Sequence, residues 1–93
     1  MADVVRIVVR GLVQGVGFRY FVAQQARSLG VSGWVRNLPG GEVEVLASLP
    51  PAARERFLAA LQQGPPASHV EGLEVLAVDQ SEAHLGSGFH VRR

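Results

Sequence analysis

Val5, Ile7 and Val9 alternate with Arg6, Val8 and Arg10. That period of two sends successive side chains to opposite faces, so Val4–Val9 is expected as a largely buried first strand. Three glycines within Gly11–Gly17 break the alternation and read as a loop. From Phe18 the period changes: Phe18, Phe21, Val22, Gln25, Ala26 and Leu29 recur at helical spacing, and Gly30 stands where a helix closes on a left-handed residue. Val31–Arg36 reads as a second strand and Asn37-Leu38-Pro39-Gly40-Gly41 as a turn. Val43, Val45 and Ala47, alternating with Glu42, Glu44 and Leu46, make a third strand in a hairpin with the second.

Pro50-Pro51 opens a second helix, as proline does at a first turn. Its apolar stripe is Phe57, Leu58 and Leu61, and Gly64-Pro65-Pro66 ends it. Val70–Val78 is expected as a fourth strand, residues 79–88 as a loop, and Phe89–Val91 as a short last strand. The order β-α-β-β-α-β plus a terminal strand predicts an α+β, ferredoxin-like split βαβ sandwich. Its antiparallel sheet carries two helices on one face. Trp34 and Phe18 are both read as core residues, each in an element whose periodicity points it inward.

The chain has 93 residues, 47% hydrophobic, 18% charged and 6% aromatic. Residues 1–93 are therefore read as one domain with one modest core, and a disordered chain is excluded. There is no apolar run of about 20 residues to span a bilayer, and Met1-Ala2-Asp3 does not open a signal peptide. Without cysteine the sequence offers neither a thiolate nucleophile nor a Cys-ligated metal site. A cytoplasmic location is expected.

All nine basic residues are arginine. Arg6, Arg10, Arg19, Arg27 and Arg36 lie between Val4 and Gly41 with no Asp or Glu, whereas the rest of the chain sets four Arg against eight acids. The missing lysine removes Schiff-base chemistry and the lysine of a Walker-type phosphate loop. The acid-free segment points to an anionic partner, although arginines on a solvated face give the same count.

The segment Gly11-Leu12-Val13-Gln14-Gly15-Val16-Gly17-Phe18-Arg19 leaves a strand, crosses glycines and enters a helix. Glycines permit positive φ and let backbone N–H groups turn inward as an anion-binding nest, to which a helix start adds unpaired donors. Arg19, in the first turn, brings a planar fork suited to two phosphate oxygens. A cation there opposes the helix dipole, and a bound anion would offset it. An ordinary glycine-rich connection with an exposed arginine remains an alternative reading of these residues.

A helix from 19 to 29 carries the chain about 16 Å one way at 1.5 Å per residue. A strand from 32 to 37 returns it about 20 Å at 3.3 Å per residue. Asn37 is thus expected at the level of the glycine loop, near Arg19. Its amide can accept from water while donating to an oxyanion, though Asn is also a common turn former.

Val9-Arg10-Gly11-Leu12-Val13-Gln14-Gly15-Val16-Gly17-Phe18-Arg19 resembles the first signature of the acylphosphatases. Gly33-Trp34-Val35-Arg36-Asn37, followed by Gly41-Glu42-Val43, resembles the second. The layout is similar along nearly the whole chain, including Phe89-His90-Val91. One departure is Leu49, where the second signature usually closes with glycine. The resemblance implies metal-free and cofactor-free hydrolysis of small-molecule acyl phosphates to a carboxylate and inorganic phosphate. Arg19 would bind phosphate and Asn37 would position the water. The backbone of Gln14, Gly15, Val16, Gly17, Phe18 and Arg19 would cradle the phosphoryl oxygens.

An alternative of the same architecture is a non-catalytic regulatory domain holding phosphate or carbamoyl phosphate; a domain of free-standing length favours the enzyme. An RNA-binding ferredoxin-like domain needs exposed aromatics on the first and third strands, and Val4–Val9 and Glu42–Ala47 contain none. No nucleic-acid or membrane partner is expected, and a monomer is. His69, His84 and His90 lack metal-ligand spacing, and Ser68, Ser81 and Ser87 lack a neighbouring base.

Overall fold

Strand β1 (Asp3–Leu12) is an interior strand of the sheet, hydrogen-bonded on both edges. In this computed structural model, which describes residues 3–79 and 86–93, it is followed by α1 (Phe18–Leu29), β2 (Ser32–Asn37) and β3 (Val43–Leu49). A 3-10 turn at Pro51–Ala53, α2 (Arg54–Gln63), β4 (His69–Ala77) and β5 (Phe89–Val91) complete the order. The five strands lie in the order β4-β1-β3-β2-β5. That is the ferredoxin-like arrangement predicted, with one addition. Three of the four pairings are antiparallel, but β5 runs parallel to β2, so the sheet is mixed and not purely antiparallel.

Three boundaries moved for identifiable reasons. Gly11 and Leu12 remain in β1 because a register shift between Arg10 and Gly11 carries the pairing past the irregularity, to Val70 and His69 of β4. Only glycine fits there: φ is +127° and an added Cβ would meet the His69 carbonyl oxygen at 2.1 Å. Asn37 is the last residue of β2, opposite Val43, and not the first of the turn. The proline-led start of the second helix is a 3-10 turn before α2 proper. The predicted loop 79–88 falls largely on residues 80–85, outside the described residues.

One face of the sheet is covered by both helices. Val5, Ile7 and Val9 of β1, Val43, Val45 and Ala47 of β3, and Val35 of β2 meet Phe18, Val22, Ala23 and Ala26 of α1 and Phe57 and Leu61 of α2. Phe89 adds β5 to the same core. Among the described residues no helix is long and apolar enough to cross a membrane.

The other face corrects the reading of Trp34. Gly33 and Val35 point into the core, so the pleat sends Trp34 to the helix-free side. There its ring carries the guanidinium of Arg36 at 5.1 Å and that of Arg92 at 4.8 Å. On the same face Glu44 is buried between two arginines. Arg36 Nε donates to its Oε1 at 2.6 Å, and Arg6 Nε stands 2.9 Å from Oε2 in an orientation that is an ion contact without a hydrogen bond. Arg10 pairs with Glu74 at 2.9 Å. The acid-free N-terminal segment therefore forms no single basic patch, because acids from β3 and β4 neutralise much of it.

Candidate active site

α1 begins without a side-chain cap and without an acid in its first turn. Its N-cap is Gly17, held at φ 78° and ψ 16°, and the first intrahelical bond runs from Phe21 N to the Gly17 carbonyl oxygen at 3.0 Å. The N–H groups of Phe18, Arg19 and Tyr20 consequently have no acceptor within the helix. Gly15 takes φ 75°. At both glycines an added Cβ would meet nothing within 4 Å. Backbone conformation, and not crowding, is what requires glycine there.

The loop is braced from the side. Gln14 Nε2 donates to the Leu38 carbonyl oxygen at 2.7 Å and to the Glu42 carbonyl oxygen at 2.8 Å. These bonds tie the loop to the β2–β3 turn, and with it to Asn37. Both N–H donors of the Gln14 carboxamide are thus spent on the protein, leaving its backbone N–H as the donor available to an anion. Val16 packs against the core and Phe18 lies within it, so their side chains do the same work of fixing the loop.

Arg19, Asn37, Gly15 and Gly17 line one cavity of about 280 Å³, together with Val13, Phe18, Tyr20 and Val91. The chain-path estimate that returned Asn37 to the level of Arg19 describes what the fold does. Asn37 Oδ1 is buried and receives no hydrogen bond from any described residue. A buried acceptor without a donor is costly unless something from outside the fold supplies one.

Arg19 is not loose in the cavity. Its Nη1 donates to the Arg92 carbonyl oxygen at 2.7 Å, while Arg92 N donates to the Val35 carbonyl oxygen at 2.8 Å. At the far end of α1, Arg27 Nη2 donates to the Phe89 carbonyl oxygen at 3.0 Å. The two arginines of one helix therefore grip both ends of β5. The part played by residues 91 and 92 was absent from the sequence reading, because a backbone carbonyl and a parallel pairing to β2 leave no local signature.

The other candidates stay apart from this cavity. Ser68 Oγ donates to the Pro65 carbonyl oxygen at 2.7 Å. His69 and His90 are exposed on different strands, and Ser81 and His84 lie outside the described residues. Among the described residues, no three His, Asp or Glu side chains stand where they could hold a metal ion. Leu49 is buried at the end of β3 opposite Asp3, whereas Asn37 faces Val43 at the other end of that strand. The departure from the family glycine is thus remote from the cavity.

A glycine loop, an uncapped helix start and an arginine, set on a ferredoxin-like α+β sandwich, define an anion-binding domain. The acylphosphatase family model matches residues 5–91. The acylphosphatase of Anaeromyxobacter dehalogenans is 52% identical over 94 residues, covering 99% of each chain. That of Thermus thermophilus is 51% identical over 83 residues, covering 89% of this chain and 91% of the relative. The crystal structure of acylphosphatase from Bacillus subtilis superposes with a TM-score of 0.89 at 40% identity, covering 100% of both chains. The chain belongs to the acylphosphatase family and is a hydrolase of that class.

Proposed function

We propose that Arg19 and the backbone donors of Gly15–Arg19 hold the phosphoryl group of an acyl phosphate while Asn37 holds the attacking water. The observation that carries this reading is the buried, unpartnered Oδ1 of Asn37 in the cavity that Arg19 lines. Oδ1 accepts a hydrogen bond from the water and so orients the water's lone pair toward phosphorus. Water attacks phosphorus in line; the bond from phosphorus to the acyl oxygen breaks and the carboxylate leaves with its electrons. A carboxylate is a good leaving group, so no general acid is required. The proton of the water passes to the phosphate itself, since Asp, Glu, His and Cys are absent from residues 4–41. The same absence argues against a phospho-enzyme.

Phosphoryl transfer of this kind is managed by positioning and charge. An arginine on the developing charge is worth roughly 10³–10⁵ in rate, about 4–7 kcal/mol. The reading takes residues 1–93 as one catalytic domain acting as a monomer in the cytoplasm, with no nucleic-acid or membrane partner. A single core spanning all five strands and the absence of cysteine support it.

The test is release of benzoate and phosphate from benzoyl phosphate in excess chelator by the wild type, Arg19→Ala and Asn37→Ala. Turnover lost in both variants supports the two roles. Full turnover in either variant removes that residue from the mechanism.

A further inference from the structure

The cavity has two kinds of wall. Arg19, Asn37 and the backbone of Gly15 and Gly17 are the polar part, fitted to a phosphoryl group; Val13 and Phe18 form a buried apolar floor. That leaves Tyr20 and Val91. Both line the cavity, yet Tyr20 is 64% exposed and Val91 44% exposed. With Leu12 they are the three most exposed large hydrophobic residues among the described residues. Neither belongs to the core cluster, so the fold does not explain them as buried packing. Their place at a polar site does: apolar surface beside convergent polar groups is how small-molecule sites bind the unreactive part of a ligand.

We propose that Tyr20 and Val91 form the acyl subsite and set the preference of the enzyme for aromatic over short acyl groups. This rests on the reading of Arg19 as the phosphoryl anchor. Tyr20 follows Arg19 in the first turn of α1, and Val91 precedes Arg92, whose carbonyl accepts the Arg19 guanidinium. One residue on each side of that single hydrogen bond thus faces the cavity. An acyl group leaving a phosphoryl group held by Arg19 therefore meets a ring contributed by α1 and an isopropyl group contributed by β5. A planar aromatic acyl group offers a face to the Tyr20 ring and an edge to Val91, whereas an acetyl group is too short to cover either. The exposed surface of both side chains is the apolar area that such a group would remove from water.

The two residues reach the subsite from opposite ends of the sequence, and β5 is fixed by Gly33 N donating to the Gly88 carbonyl oxygen at 3.0 Å and by Arg27 on Phe89. The Val91 wall of the subsite is therefore set by the β2–β5 pairing and not by the phosphate loop. Phosphate affinity and acyl preference are separable by mutation.

The experiment measures kcat/KM for benzoyl phosphate and acetyl phosphate in the wild type, Tyr20→Ala, Tyr20→Phe and Val91→Ser. Alongside it runs the binding of benzoylphosphonate and acetylphosphonate, in which a carbon–phosphorus bond replaces the scissile oxygen bridge. Aromatic contacts of this type lead us to expect the benzoyl-to-acetyl ratio to fall about tenfold in Tyr20→Ala and about threefold in Val91→Ser. It should be retained in Tyr20→Phe, and the two phosphonates should follow the same order. An unchanged ratio in both truncated variants, or an equal loss for both acyl groups, overturns the subsite. Absence of turnover in the wild type, with the benzoylphosphonate preference present and lost in Tyr20→Ala, overturns the catalytic reading and leaves the subsite standing.

Discussion

The guanidinium of Arg19 is held by the backbone carbonyl of Arg92, 2.7 Å from its Nη1. A neutral acceptor orients the fork without consuming its charge, as a carboxylate partner would. Its remaining N–H donors are left for phosphoryl oxygens. Replacing Arg19 by Ala should therefore lower kcat by about 10³ or more, and Arg19→Lys should fail nearly as badly because an ammonium cannot span carbonyl and phosphate in one plane. Steady-state hydrolysis of benzoyl phosphate measures both. A lysine variant within tenfold of wild type would mean that charge alone suffices.

Asn37 acts on the water and not on the anchor. Asn37→Ala should reduce kcat by about 10² while the inhibition constant of inorganic phosphate stays within about twofold. Equal losses in both would place Asn37 among the phosphate ligands.

Trp34 stands behind this pair without touching the cavity. Its ring carries Arg92, whose main chain holds Arg19. An exposed cation–π contact contributes about 0.5–1 kcal/mol. Trp34→Ala should thus leave the fold intact and lower kcat several-fold, with Trp34→Phe restoring most of it. Thermal melting beside the kinetics separates this from a general loss of stability.

Gln14 should show the reverse balance. Truncation to Ala removes two hydrogen bonds but leaves the Leu38 and Glu42 carbonyls with Gly41 N and Leu38 N as donors, so the cost is the net worth of the lost bonds, about 0.5–1.5 kcal/mol each. The melting temperature should fall by roughly 4–8 °C per kcal/mol in a domain of this size. Phosphate binding should weaken with it, because the loop is no longer tied to the turn that carries Asn37.

Two glycines provide a control for one another. Gly33, at φ +143°, lies so close to β3 that an added Cβ would meet the Leu46 carbonyl oxygen at 1.9 Å, whereas Gly15, at φ +75°, has open space. Gly33→Ala should prevent folding or push β2 off β3. Gly15→Ala should cost only the backbone term of about 1–2 kcal/mol, and its larger effect should appear in phosphate affinity. Circular dichroism melts and phosphate titration of both variants decide this.

Much of the fold could be read from local period. The change from two to three-and-a-half residues at Phe18, and back after Gly30, sets β1, α1 and β2. The glycine loop and Asn37 were legible because the lengths of α1 and β2 nearly cancel. Trp34 was misread because the periodicity of β2 was taken to point it inward, whereas Gly33 and Val35 are the buried pair and the inward parity is the odd one. The anionic promise of the arginines was likewise diluted by Glu44 and Glu74, whose pairing with Arg6, Arg36 and Arg10 depends on strand order. The contributions of Val91, Arg92 and the Gln14 brace depend on contacts across 24 to 73 positions of sequence, and no window along the chain contains them.

β5 has one more consequence, for where the protein is most easily loosened. It joins the sheet through β2 at its edge and brings a single buried side chain, Phe89, to the core. Elements with few buried contacts open locally at a lower free energy than the rest of a domain. Fraying of β5 would carry the Arg92 carbonyl away from Arg19 while β1 to β4 and both helices stay closed. Staying folded and staying poised are then two separate quantities, and the second is set by the weakest edge of the sheet.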